Sequence, residues 1–258
     1  VSTVQSERTA PERREALKEV LMQARGCTRC PELAATRKTV VFGAGNADAD
    51  LMFVGEAPGA SEDEQGVPFV GRAGKLLEKL LQEVGLQREE VFIGNVLQCR
   101  PPGNRDPLPV EIENCKEYLL RKVELIQPTV ICTLGNFSTK LLRGDPTGIT
   151  RLHGQPEVLT LGRRAVRLYP IFHPAAALYT PRMLETLRED FSRLPELLAL
   201  GAPEQPSLKE IPELEEPPGP AAAAEAEAAT DSPPAAGAPG GAPKAGEQSA
   251  EIDQLGLF

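Results

Sequence analysis

Residues 50–96 read DLMFVGEAPGASEDEQGVPFVGRAGKLLEKLLQEVGLQREEVFIGNV. The run at 50–54 is apolar and stops at a glycine-rich turn, the pattern of a buried strand. Residues 71–84 place Leu76, Leu77, Leu80, Leu81 and Val84 at helical spacing, and Gly85 closes the segment. A second apolar run at 91–96 predicts another strand. The same alternation continues on both sides. Upstream, residues 11–25 read as a helix with Leu17, Val20 and Leu21 on one face, ended by Gly26. Downstream come a helix at 110–126 between Pro109 and Pro128, a strand at 129–134, a short helix at 137–142 and a strand at 166–172. A last helix at 183–198 is disturbed at Pro195. Strands alternating with helices imply an α/β fold whose mostly parallel sheet is covered on both faces. In such sheets ligands bind beyond the carboxyl ends of the strands. The chemically rich segments, 55–69, 95–106 and 173–181, all follow predicted strand ends.

The 258 residues suffice for one core domain plus extra segments. No apolar run approaches the roughly 20 residues a membrane helix needs, and residues 1–14 lack the apolar stretch of a secretory signal. The expectation is a cytoplasmic monomer with no membrane contact. The net charge of −9 looks wrong for a chain that meets nucleic acid, but residues 201–258 hold eleven acids and two bases and account for all of it. Residues 1–200 are neutral, and a neutral body binds DNA if its bases cluster. After about Ala202 the composition shifts to Pro, Ala, Gly and Glu, which cannot bury enough apolar surface to order itself. The expected organisation is a folded domain at 1–200, a disordered linker at 201–250 and an apolar-ended peptide at 251–258.

Five cysteines, an odd number in a chain read as cytoplasmic, argue for a metal or cluster site over a disulfide framework. Cys27 and Cys30 form a C-x2-C pair, and Cys99 and Cys115 follow far downstream. Four thiolates from three loops suit a [4Fe–4S] cluster or zinc equally on ligand type, and C-x2-C also serves dithiol redox chemistry. Cys132, inside an apolar strand, reads as a small core residue.

Residues 55–59 (GEAPG), then Glu62 and Asp63, then 66–74 (GVPFVGRAG) make a loop that could cradle phosphate. It is not a P-loop: Leu76 follows Gly74-Lys75, and Phe69 stands where the first glycine is required. The stretch resembles instead the GExPG…GxPFVGRAGxLL signature of the iron–sulfur (family four) uracil-DNA glycosylases. Residues 95–107 resemble their N-x-x-x-CRPP-x-NR-x-P segment, and His173-Pro174-Ala175 their HPA motif. Order and spacing agree over roughly residues 14–198. The resemblance implies a three-layer α/β/α fold around a central four-stranded, mostly parallel sheet. It implies that Cys27, Cys30, Cys99 and Cys115 hold a structural [4Fe–4S] cluster. The implied activity is hydrolysis of the N-glycosidic bond of uracil in DNA.

Uracil must leave the base stack to be reached. Phe69 is the candidate aromatic platform, with a core phenylalanine as the plain alternative. The Asn95 carboxamide can donate to uracil O4 and accept from N3–H, a pattern cytosine reverses; otherwise Asn95 is a turn residue. His173, one of two histidines, is the candidate donor to the departing uracil anion. Glu56 is the first choice, and Glu62 the second, for the carboxylate that faces the sugar and positions water. Ala57 offers no polar side chain for that water, though its backbone can contact the base. The resemblance assigns Glu62 the exclusion of thymine's methyl. Arg72, Arg100 and Arg105 are candidate phosphate contacts, each of which reads as well as solvated surface. Leu178 is a candidate minor-groove wedge. A related covalent-trapping group carries a histidine-containing insert after the CRP segment; residues 101–113 contain no histidine, so free product release is expected.

Gln254-Leu255-Gly256-Leu257-Phe258 resembles the bacterial sliding-clamp-binding pentapeptide, with Gly256 departing from its usual third residue. A tethered apolar peptide of this kind raises the effective concentration of the enzyme at a clamp. Gln254, Leu255, Leu257 and Phe258 are the expected contacts. A DNA-binding module without catalysis and a zinc-containing relative are the competing classes.

Overall fold

The computed structural model describes residues 8–206. In chain order the elements are α1 (Ala10–Arg25), α2 (Pro31–Thr36), β1 (Ala44–Gly45), β2 (Leu51–Gly55), α3 (Ala60–Gln65), α4 (Arg72–Glu83), β3 (Phe92–Asn95), α5 (Pro109–Ile126), β4 (Val130–Leu134), α6 (Asn136–Arg143), α7 (Ile149–Leu152), β5 (Glu157–Leu161), β6 (Arg164–Ile171), α8 (Pro174–Ala177), α9 (Pro181–Ser192) and α10 (Leu194–Ala199). The sheet order is β1-β3-β2-β4-β6-β5. Its centre, β3-β2-β4-β6, is parallel throughout, as expected. Two antiparallel edge strands, β1 and β5, make it a six-stranded mixed sheet.

β2, β3 and β4 are buried along their whole length, and β6 is buried except at Arg164 and Arg167, so they appear in sequence as largely apolar runs. Alternate residues of β2 feed two separate cores. Met52 and Val54 pack with Leu17 and Leu21 of α1 and Leu119 and Val123 of α5. Leu51 and Phe53 pack with Leu77 and Leu80 of α4 and Leu187 and Phe191 of α9. That period of two is what makes the architecture three-layered. Each fully buried leucine or phenylalanine contributes about 1.5–3 kcal/mol. Cys132 sits in the second core with no exposure, as its apolar neighbours imply.

The predicted last helix is two helices, α9 and α10, with the break at Arg193. Pro195 lies in the first turn of α10: it has no N–H for the preceding turn, and its ring clashes with the carbonyl four residues back. No helix among the described residues is long and apolar enough to cross a membrane.

The chain runs from β2 outward to β3 and then back across β2 to β4, so the topological switch lies between β2 and β4. At the other end of the sheet, the Gln205 carboxamide accepts from Ala165 N (3.1 Å) and donates to Ala165 O (3.0 Å). It ties the chain near the start of β6. Of the predicted linker at 201–250, residues 201–206 are described and held against β6 by Gln205, while 207–250 and the predicted peptide 251–258 lie outside the described residues.

Candidate active site

A cleft of about 450 Å³ opens at the carboxyl ends of β2, β3 and β6. Glu56, Ala57, Glu62, Phe69, Asn95 and His173 all line it, as does Arg105. Seven positions named from three motifs therefore meet in one place.

Phe69 is 8% exposed and has φ +53°, a left-handed conformation that is costly for a bulky residue. Three contacts hold it there. Glu62 Oε1 accepts from the backbone N–H of Val70 (3.1 Å) and Gly71 (3.0 Å). Arg88 donates to the carbonyls of Pro68 and Phe69, the latter at 3.3 Å. The first turn of α4 also presses on the same carbonyl: a Cβ on Gly74 would stand 1.7 Å from Phe69 O, so only glycine fits. The glycine-rich signature thus builds the mount for one aromatic ring. That ring stacks on His173, with centroids 5.6 Å apart and planes 29° apart.

Asn95 ends β3 opposite Gly55 and is 2% exposed. Its carboxamide has no hydrogen-bond partner among the described residues and lies over Gly55, where an added Cβ would be 2.4 Å from Oδ1. A buried carboxamide with both ends open is poised for a ligand that satisfies both. His173 is the N-cap of α8, and its Nδ1 accepts from Ala175 N at 3.1 Å. A backbone N–H can only donate, so Nδ1 carries the lone pair and the ring proton is on Nε2. Burial pulls the imidazole down to about 4, partly offset by the charge of Glu62. At neutral pH the ring is uncharged and is a donor. Burial, and then the charge of Asp106, raise Glu56 above the ordinary carboxylate range.

The predicted phosphate contacts stand differently. Arg72 is exposed at the start of α4 and is not part of the cleft wall. Arg100 donates to Asn104 Oδ1 at 2.7 Å. Arg105 is bound by Glu111 (2.6 and 2.9 Å) and Glu32 (2.6 Å), so its charge is already met by two carboxylates. Leu178 caps α8 and is half-buried, whereas Tyr179 beside it is 78% exposed. Tyr179 and Arg88 carry no motif signal. Arg88 acts across 19 and 20 residues of chain, which no local pattern reports.

Cys27 and Cys30 lie in the turn leading into α2, with Cys30 as its N-cap, and pack against the core that holds Cys99 and Cys115. Each of these four thiols lies within electrostatic reach of others in the set. Burial raises Cys30 and Cys99 and pushes Cys115 up to about 12. Burial also raises Cys27, but hydrogen bonds from the Arg29 backbone and side chain and from Tyr118 outweigh it and leave Cys27 lowered. Arg37 donates to Cys99 Sγ (3.2 Å) and Asn114 to Cys30 Sγ (3.5 Å). N–H donors on buried sulfurs fit thiolate ligation. No group of three or more His, Cys, Asp or Glu side chains among the described residues meets the arrangement of a single metal-ion site.

Fold and cleft together define an α/β protein with a cleft at its strand ends, walled by an aromatic ring, a carboxamide and a neutral histidine. Comparison with known proteins narrows this. Residues 42–195 match the model of the uracil DNA glycosylase superfamily. A type-4 uracil-DNA glycosylase of Archaeoglobus fulgidus is 43% identical over 187 residues, which are 71% of this chain and 94% of that protein. A type-4 uracil-DNA glycosylase of Thermotoga maritima is 44% identical over 164 residues, 63% of this chain and 83% of that protein. A type-5 uracil-DNA glycosylase of Pyrobaculum aerophilum is 29% identical over 199 residues, 65% of this chain and 87% of that protein. The chain belongs to the uracil DNA glycosylase superfamily.

Proposed function

We propose that this protein is a monofunctional uracil-DNA glycosylase, which flips deoxyuridine out of DNA, hydrolyses its N-glycosidic bond and leaves an abasic site for base excision repair. The observation that carries the residue-level reading is the neutral His173, whose Nδ1 is occupied by Ala175 N and whose Nε2–H is left for the cleft. As the glycosidic bond breaks, its electron pair passes to uracil and the sugar becomes cationic. The Nε2–H donates to uracil O2, and a preorganised donor of this kind contributes about 2.7–4 kcal/mol to the transition state. A charged imidazole would have to be desolvated at a cost that the neutral ring avoids.

Asn95 reads the base edge, donating to O4 and accepting from N3–H. Phe69 supplies the apolar wall, and the backbone at Ala57 lines the slot. Glu56 is the carboxylate that faces the cationic sugar and holds the attacking water. Glu62 is less suited to that task because one of its oxygens is committed to two backbone N–H groups, so we assign it to holding the Phe69 turn and crowding C5. Among the described residues no lysine lines the cleft, which supports hydrolysis without strand cleavage. Arg72 and Arg100 are the phosphate contacts in this reading. Arg105 braces the loop through Glu111 and Glu32, and residues 178–179 press into the groove.

Cys27, Cys30, Cys99 and Cys115 would hold the [4Fe–4S] cluster, with Arg29, Arg37, Asn114 and Tyr118 donating to the thiolates. Such a cluster cross-links the α1–α2 turn, the loop after β3 and α5, and contributes stability. Replacing Cys99 by Ser should remove visible absorbance and bound iron; a colourless wild-type protein with stoichiometric zinc would overturn the assignment. The domain at 1–200 carries the catalysis, and 201–250 tethers the peptide 251–258, which binds a sliding clamp through Gln254, Leu255, Leu257 and Phe258. Gln205 supports this layout: it fixes the departing chain near the start of β6, whereas His173 follows that strand's other end, about 25 Å away at ~3.3 Å per residue.

The test is base release from duplexes holding one uracil, thymine or cytosine, with wild type and His173→Ala. Uracil-specific release that is lost in the variant is expected. No release by a folded, cluster-loaded wild type would overturn the reading in favour of a DNA-binding module.

A further inference from the structure

Asn95 can discriminate bases only if its carboxamide is aimed, and the groups that aim it lie behind the cleft. Lys122 on α5 is fully buried, yet no carboxylate among the described residues pairs with it. Its ammonium donates to Phe42 O (2.7 Å) and Gln98 Oε1 (3.0 Å) and stands 4.7 Å from the centre of the Phe42 ring. Burying an ammonium without a counter-charge costs several kcal/mol, and a methionine would fill the same space without that cost. Gln98, 2% exposed, lies between Lys122 and the base-reading residue. Its Nε2 donates to Asn95 O (3.2 Å) and Val96 O (3.4 Å), and its own carbonyl accepts from Val41 N (2.8 Å). A carboxamide has two nearly isosteric ends. Lys122 can only donate, so it forces Oε1 toward itself and Nε2 toward Asn95. One residue on, Val96 N donates to Gly55 O at 3.0 Å, so the Asn95 main chain is held on both sides.

We infer that Lys122 and Gln98 are positioning residues: together they fix the Asn95 main chain, and through it the angle at which the Asn95 carboxamide meets the base. This rests on the reading of Asn95 as the base-discriminating group. Lys122 takes no part in bond breaking, since it touches neither the cleft nor the residues that wall it.

Two substitutions probe the relay. Lys122→Met removes the donor. Gln98→Glu keeps an acceptor for Lys122, now as an ion pair, but turns an oxygen toward two carbonyl oxygens; it protects against the case in which Lys122→Met fails to fold. The holo-protein is assayed for single-turnover uracil release and duplex affinity, in the wild-type and Asn95→Ala backgrounds, with the melting temperature and visible absorbance recorded. In the wild-type background each substitution should slow release roughly 10- to 100-fold, with duplex affinity changed less than about 2-fold. In the Asn95→Ala background the same substitutions should cost less than about 3-fold, because a group acting through Asn95 has nothing left to aim. Equal losses in both backgrounds would overturn the inference and leave the reading of Asn95 intact. A wild-type rate in a folded Gln98→Glu protein would also overturn it. A wild-type rate in Asn95→Ala itself would overturn the reading of Asn95 and the inference with it.

Discussion

Gly55→Ala is the smallest change that tests the base slot. Gly55 is not in a positive-φ conformation, so alanine is acceptable to the backbone and the only consequence is one methyl group. That methyl would lie 2.4 Å from Asn95 Oδ1, 2.9 Å from Phe69 Cζ and 3.0 Å from Phe69 Cε2. Ordinary contacts need at least 3.4 Å, so the carboxamide must retreat by about an ångström and the ring by about half of one. Neither can move freely: Asn95 is paired with Gly55 across β2–β3, and the Phe69 turn is pinned by Glu62, Arg88 and the first turn of α4. Overpacking of this kind costs about 1–3 kcal/mol of stability. A carboxamide pushed out of line leaves buried polar groups unpaired at a cost of about 1–3 kcal/mol each, which is roughly 5- to 150-fold in rate. Single-turnover release with enzyme in excess measures the rate, and thermal unfolding separates it from stability. Duplex affinity should hold, because the methyl is inside the slot and the phosphates are outside it. A folded Gly55→Ala protein that releases uracil at the wild-type rate would refute the placement of the base between Phe69 and Asn95.

His173→Ala should lower the release rate by about 10²–10³. The His173 pKa falls from 6.5 to about 4 on folding, so the unfolded chain takes up the proton first. This group's contribution to stability is present above about pH 6.5 and is lost as the pH falls through 6.5 toward 4. Urea midpoints across that window should fall less steeply in His173→Gln, and an unchanged slope would contradict the neutral, buried ring. Arg88→Met removes both donors to the Phe69 turn and should slow release about tenfold, with a larger fall in kcat than rise in KM if the ring acts in the transition state. Rescue by Arg88→Lys should be poor, because one ammonium cannot reproduce a two-pronged contact with neighbouring carbonyls. Deleting residues 252–258 should leave release from short duplexes unchanged and abolish capture by a sliding clamp; retained capture would refute the tail assignment.

What was legible in the sequence divides along the range of the interactions. The four parallel strands are buried on both faces, and burial of that kind writes itself as apolar runs that chain-local reading recovers. Edge strand β5 alternates between half-buried and exposed positions, and β1 is two residues long, so neither leaves such a run. The cleft residues were legible because each sits in a motif next to a strand end. Their supports were not. Arg88 reaches back 19 residues to Phe69 O, and Lys122 reaches 80 residues back to Phe42 O. Lys122 did leave a trace: it occupies the buried stripe of α5 with Cys115, Leu119 and Ile126, at spacings of four, three and four residues. A lysine on an apolar stripe has to find acceptors inside the protein or stay neutral, and here it finds two oxygens, one of them on the Gln98 side chain that in turn donates to the Asn95 carbonyl. The sequence therefore names residues that line the cleft, while the packing shows what holds them there. Glu62 shows the difference most sharply, since from sequence its carboxylate was a candidate for chemistry, and in the fold one of its oxygens is fully engaged in holding two backbone N–H groups of the turn that presents Phe69.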